Sequence, residues 1–558
     1  MTSPSITTRE VALALAGGLL LAAIMFWPLP LHIGRDIPRD LGDPLLQAWQ
    51  VAWGGHALST QPFDYFQSNT FWPLDNTLAF SDALVGYAPA GLIGDGSYAA
   101  VVRYDLLFLF AYALAFAGAY LLARELGLAP AAAAVAGVAF AYAPWRLEQN
   151  GHLHVISSGG IPLTFFLLLR GYRSGRAALV VAGFAVAAWQ VSLGFSLGLP
   201  LLYLLAGAFA VGAVVWLRRG RPALPRRLAM ATIGGGLLLT VVAVALSLPY
   251  LEVLDDHPEA KRTVAELEMF SPPLRSFAAA PPENLLWGGA TESVRDDLSS
   301  VPEQTLFPGL AIAVLALIGL LRAPWDRRLR IGLGVGVAAA AAFSLGLQLF
   351  DGRVTYRLLY DYAPGWEGIR TPSRLNTFTS LLAALLAAGG AAWVASRLRG
   401  RAATLAAVGL CAVVLVEGSG FAIGEKGRGA IGGPVAPTVP EPPQGQLGVG
   451  GPQLHLPVTT FSTFAYMLWS AEGFPHIVNG TSGFRPRFLD GLERRVAGFP
   501  DRGSVAYLRD LGVRHVVLHP DDVRTSPWKR WRSRDPEPLG VSRTARGGVV
   551  LYQLDPGG

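Results

Sequence analysis

Asp40 and Asp43 stand three apart in Arg35-Asp36-Ile37-Pro38-Arg39-Asp40-Leu41-Gly42-Asp43-Pro44, the opening of the first long polar stretch of an otherwise apolar chain. The stretch runs from Gly34 to Asp95 and continues through Trp49, Trp53, His56, Asn69, Trp72 and Asp82. Its carboxylates, amides and indoles follow one another without the period of a simple helix or strand face. A carboxylate can take a proton from a hydroxyl, amides hydrogen-bond hydroxyls, and flat indoles cover C–H faces, so the mixture suits a polyol or sugar. Trp49, His56, Asn69 and Asp82 are therefore candidate substrate contacts, joined by His152 and His154 of a later connection. The bland alternatives are that Asp40 or Asp43 caps a short helix beginning near Leu45, and that the indoles mark a membrane–water interface.

A second chemistry-bearing group is cationic: Arg353, Arg357, Arg370 and Arg374. Guanidinium forks bind phosphate bidentately, which makes these four candidate contacts for a lipid-linked phosphate. Asp351, Asp361 and Glu367 lie in the same connection and are their competing structural partners. His152 and His154 are two apart, so on a helix they face different sides. A metal site would need one of them joined by Asp43 or Asp82. No dedicated ligand spacing is present, and a divalent metal stays an open expectation, with magnesium or manganese as the candidates.

The elements that must hold these residues are membrane helices. Of 558 residues, 52% are hydrophobic and only 15% charged, which excludes an ordinary soluble enzyme and indicates a polytopic membrane protein. The formal charge of +6 comes mainly from arginine in short loops, a pattern of membrane topology rather than of nucleic-acid binding. Cys411 is the one cysteine, so no intramolecular disulfide forms. About eleven spans are expected: Val11–Leu29, Val101–Ala123, Ala131–Trp145, Val155–Leu169, Ala177–Trp189, Leu197–Leu217, Leu228–Leu248, Leu306–Leu321, Ile331–Phe350, Leu375–Val394 and Ala402–Ala422. Every second connection is short and arginine-rich, which places it in the cytoplasm and puts the Gly34–Asp95 loop, both histidines, the Asp351–Arg374 segment and the tail outside.

The tail, Ile423–Gly558, begins with a Gly/Pro-rich segment that reads as a linker. Strand-like Leu454–Thr459, Val513–Leu518 and Val549–Leu554 and helix-like Phe488–Val496 and Ser504–Leu511 then predict a small external α/β domain. The expected domains are 1–422, a membrane body with a long first loop over 30–100, and 423–558, a linker plus that domain. Asn479-Gly480-Thr481 reads as a turn rather than a glycosylation site.

A first span, a long loop carrying Gly42-Asp43-Pro44 with Trp49 and Trp53, a multi-span body and an external C-terminal domain together resemble the GT-C superfamily of membrane glycosyltransferases. Asn69–Pro73 with Leu78–Ser81, Gly151-His152-Leu153, Ile369-Arg370-Thr371-Pro372-Ser373-Arg374, and Val478-Asn479-Gly480 through Gly483-Phe484 narrow the likeness to YfhO-like or family-39-like bacterial membrane proteins. The resemblance implies an α-helical, polytopic GT-C-like protein of a bacterial inner membrane, with its C-terminal domain extracytoplasmic. It also implies inverting transfer of a sugar from a polyprenyl-phosphate donor to an extracytoplasmic glycan, lipid or protein. The base it implies is an acidic residue of the first external loop, Asp43 here, with Asp40 second. The superfamily often places two acidic residues side by side, a pattern this loop departs from. The competing classes are a transporter or flippase of a lipid-linked saccharide and a non-catalytic envelope-assembly protein. Spans nearly free of mid-membrane charge favour the enzyme over a carrier.

Overall fold

A computed structural model of the chain describes residues 4–220, 224–420, 428–436, 438–523 and 526–554. They divide into two compact units. The first comprises Met1–His32, Leu106–Leu246 and Arg262–Val435, and the second Ile33–Asp105, Ser247–Lys261 and Ala436–Gly558. The boundary expected between 422 and 423 lies outside the described residues.

Among the described residues, six helical segments are long and apolar enough to cross a membrane: Thr8–Met25, Gly96–Glu125, Leu153–Ser174, Phe195–Arg218, Arg226–Asp256 and Pro372–Ala395. Pro130–Ala141, Ala177–Leu193 and Leu310–Arg322 are shorter apolar helices. By this measure the expected count of eleven is not reached. The span expected to reach Trp145 stops at Ala141, ahead of a 3₁₀ turn opened by Pro144. The Arg226–Asp256 helix buries only 11% of its apolar window against protein, and Phe195–Arg218 only 22%. Surfaces so apolar and so little covered face lipid, and the protein is a multi-pass membrane protein.

With no hydrophobic drive between helices in lipid, close backbone approach holds them together. A Cβ on Gly319 would lie 1.8 Å from the carbonyl oxygen of Leu386, and one on Gly390 2.1 Å from that of Leu315. Glycine at both sites lets the Leu310–Arg322 and Asn376–Ala395 helices touch backbone to backbone. At the start of the Gly/Pro-rich segment, Gly433–Ala436 pairs antiparallel with Arg428–Ala430. Between the strands, Gly432 N–H donates to Met25 O at 2.6 Å. A side chain at 432 would collide with the Phe26 ring, which fixes glycine there.

The second unit carries a four-stranded sheet in the order Gln453–Leu456, His515–Leu518, Val549–Leu554, Val541–Arg546. The first pair is parallel and the others antiparallel. Leu454, Leu456, Val516, Leu518, Val550 and Tyr552 fill its core with Leu489, Leu492 and Leu508 of the helices Arg487–Val496 and Arg502–Asp510. No hydrogen-bonded turn is assigned at Asn479, whose side-chain amide is bonded in both directions to the backbone of His455.

Candidate functional site

The predicted residues divide between the units: Asp40, Asp43, Trp49, His56, Asn69 and Asp82 in the second, and His152, His154 and the four arginines in the first. In the second unit the chain turns sharply at Arg39 (φ 72°), and the exposed Asp40 Oδ1 accepts the N–H of Gly42 at 2.8 Å. The helix Asp43–Thr60 follows, with Gly42 as its N-cap and no side-chain cap. Asp43 is thus the first helical residue rather than the cap, and Pro44 follows where a missing N–H costs nothing. Half-buried Asp43 lies in the first turn of the helix, where unpaired N–H groups gather.

Indoles and small residues position that helix. Trp49, 2% exposed, donates from Nε1 to Asn69 Oδ1 at 3.2 Å, and Asn69 Nδ2 donates to Pro475 O at 2.9 Å. Trp53 donates to Tyr65 O at 3.1 Å, and Gln50 Nε2 reaches Ser81 Oγ and Asp82 O, both at 3.0 Å. A Cβ on Gly55 would fall 2.0 Å from the backbone of Gly91, so only glycine admits that crossing. His56 stacks on Phe474 with ring centroids 4.4 Å apart, and burial lowers its pKa. Trp49, on the helix, is thus tied through Asn69 to the backbone of Pro475, while Asp82 stays half-buried beside the Gln50 contact.

In the first unit Arg374 opens the last of the six long spans, and its guanidinium meets buried Glu303 and half-buried His154. Nη2 donates to Glu303 Oε1 at 2.7 Å and Nη1 to His154 Nε2 at 2.9 Å. A guanidinium only donates, so His154 Nε2 must present its lone pair, and a neutral His154 carries its proton on Nδ1. Burial alone would raise the Glu303 carboxyl; Arg374, His152 and His154 outweigh it and bring the pKa down to about 2. His152 Nδ1 lies 3.1 Å from Gln149 Oε1, and Gln149 Nε2 donates to Pro302 O, which ties the histidine stretch to Glu303.

The other arginines differ. Arg370 lies over the Phe270 ring at 5.2 Å. Arg357 pairs with Asp361 at 2.7 Å, half-exposed, and Arg353 with Asp351 at 3.5 Å with both side chains about four-fifths exposed (79% and 82%). Of the expected structural partners, Asp351 and Asp361 hold arginines locally, whereas the carboxylate on Arg374 is Glu303. Nothing in the sequence pointed to Glu303, which lies 71 residues from its partner. Equally unheralded is a buried imidazole pair in the second unit, His455 Nδ1 to His519 Nε2 at 3.0 Å, stacked against Tyr466.

Among the described residues no three His, Cys, Asp or Glu are grouped to hold a metal ion. His154, the metal candidate beside Glu303, turns its Nε2 lone pair to a guanidinium. These residues do not fit a divalent cation, and no chemical step below runs through one.

No protein-family model matches this sequence, and no curated protein matches it either. Solved structures do. The arabinofuranosyltransferase AftD from Mycobacteria superposes on 99% of this chain with a TM-score of 0.55 at 16% identity. The fold is of the GT-C type. The chain spans 42% of the AftD chain. The archaeal oligosaccharyltransferase AglB from Archaeoglobus fulgidus, in complex with an inhibitory peptide and a dolichol-phosphate, aligns over 98% of this chain and 74% of its own at 14% identity, with a TM-score of 0.45. ArnT from Cupriavidus metallidurans, bound to undecaprenyl phosphate, aligns over 99% of this chain and 100% of its own at 13% identity, with a TM-score of 0.39. The likeness to AftD matches the fold expected from the sequence.

Proposed function

We propose that the chain is an integral-membrane glycosyltransferase that moves a sugar from a polyprenyl-phosphate-linked donor to an extracytoplasmic glycan, lipid or protein. The GT-C fold, matched over 99% of the chain, is the observation that carries this reading. In the proposed reaction the Asp43 carboxylate takes the proton of the acceptor hydroxyl as its oxygen bonds to the anomeric carbon. The bond from that carbon to the phosphate oxygen breaks, configuration inverts, and polyprenyl phosphate leaves. Asp40, tied into the turn before the helix, is the alternative base. Arg370 and Arg374 are assigned the leaving phosphate, with His152 and His154 beside them; Arg353 and Arg357, already held by neighbouring aspartates, are left to the headgroup region. Trp49, His56, Asn69 and Asp82 shape and support the Asp43 helix. The same reading takes 1–422 as the membrane body and 423–558 as linker and external domain, in a bacterial inner membrane with the C-terminus outside, and retains the YfhO-like or family-39-like affinity.

Binding of a labelled polyprenyl-phosphate sugar to the purified protein tests the phosphate assignment. Lysine keeps the charge but loses the fork, so Arg370→Lys and Arg374→Lys should each weaken binding by about 1–3 kcal/mol. Unchanged affinity in both, with thermal midpoints preserved, would leave the two arginines as structural partners of Phe270 and Glu303.

A further inference from the structure

Phe350, Val354, Leu358 and Tyr362 recur every fourth residue and are 72%, 63%, 48% and 81% exposed. Leu358 and Tyr362 lie one turn apart on the helix Tyr356–Tyr362, and Phe350 and Val354 lead into it. Four large apolar side chains exposed within one short segment are more than scattered surface residues. The segment under them is firmly seated. Fully buried Tyr356 donates to Ile369 O at 2.9 Å, and Tyr360 donates to Arg262 O at 2.6 Å. The exposed set is therefore a held surface, with the ion pairs Arg353–Asp351 and Arg357–Asp361 interleaved with it along the chain.

What covers the set follows from its neighbours. The ring of Trp366, just beyond the helix, lies 5.5 Å from Tyr356 and 5.7 Å from Tyr203, and the Tyr203 hydroxyl donates to Pro364 O at 3.0 Å. Tyr203 belongs to Phe195–Arg218, the long apolar helix that buries only 22% of its window against protein. Its lipid-facing surface thus continues onto this segment, and Pro372–Ala395 enters the membrane shortly afterwards.

We propose that residues 350–362 form an interfacial segment whose exposed apolar side chains bed into the acyl–headgroup boundary of the bilayer, with Arg353 and Arg357 at headgroup level. A short segment with exposed apolar side chains interleaved with charged ones, tethered to a spanning helix, has the chemistry of a membrane-surface element rather than of a protein-docking groove. The proposal needs only the membrane-spanning body and stands apart from any transferase activity.

Full-length protein carrying Cys411→Ser, with Val354→Cys, Leu358→Cys or Asp297→Cys labelled by bimane, is placed in phosphatidylcholine nanodiscs. Asp297, with its side chain 86% exposed, serves as the water-facing reference in the same unit. Shallow doxyl-labelled lipid should dim the labels at 354 and 358 about twofold while iodide barely affects them, and the label at 297 should show the reverse. Iodide quenching at 354 and 358 equal to that at 297 would overturn the proposal. So would protection from both quenchers, since the cover would then be protein, such as a second copy of this chain.

Discussion

Glu303 and Arg374, with side chains 9% and 14% exposed, remain a charged pair, whereas His455 and His519, 3% and 4% exposed, are held neutral. Burial opposes charge in both places. Beside Glu303 a guanidinium of opposite sign outweighs the desolvation. Between the two imidazoles nothing of opposite sign does, so burial drives His519 down to about 3 and, with the repulsion of His519, lowers His455 as well. The nature of the partner, more than the depth of burial, decides whether a buried titratable group keeps its charge.

The comparison breaks most severely if one partner of the charged pair is removed. Glu303→Ala leaves Arg374 as an uncompensated buried cation and should cost about 3–5 kcal/mol, read as a large fall in the thermal midpoint in detergent. A midpoint within a degree or so of wild type would show that the charge is not confined as described. Next comes pH. His519 is neutral when folded down to about pH 3 but titrates near 6.5 when unfolded, so below 6.5 the unfolded state takes up protons that the native state refuses. Stability of the second unit should therefore fall on acidification by about 1.4 kcal/mol per pH unit for each such histidine. His519→Gln should flatten that slope between pH 6.5 and 5. For Glu303 the sign is the usual carboxylate one: its contribution is present above the ordinary pKa of 4.5 and disappears as pH falls through about 2. The smallest effect belongs to Arg357→Ala, whose ion pair with Asp361 is about one-third exposed, so the loss should stay within about 0.5 kcal/mol.

Local patterns were legible in the sequence and distant pairings were not. Alternation and turn residues placed strands at 454, 513 and 549 and helices at 488 and 504, each within two residues of an observed element. Composition alone gave the membrane class. The pairs Asp351–Arg353 and Asp361–Arg357 were readable because their partners lie two and four residues apart. Glu303 was not, since contact across 71 residues depends on how helices pack. Each expected span meets an observed helix, but hydrophobicity alone did not give the lengths, since it does not say where proline ends a helix such as Pro130–Ala141. That Trp49 and Asn69 hydrogen-bond each other across 20 residues was not readable from residue type either.

The most direct test is sugar transfer from a labelled polyprenyl-phosphate donor by the full-length protein and by Asp43→Asn. The swap keeps size and shape but removes basicity. The expected result is transfer by the wild type, loss of transfer in the variant, and unchanged donor binding and thermal midpoint. Full transfer by Asp43→Asn, or no transfer by the wild type with any polyprenyl-phosphate sugar, would contradict it.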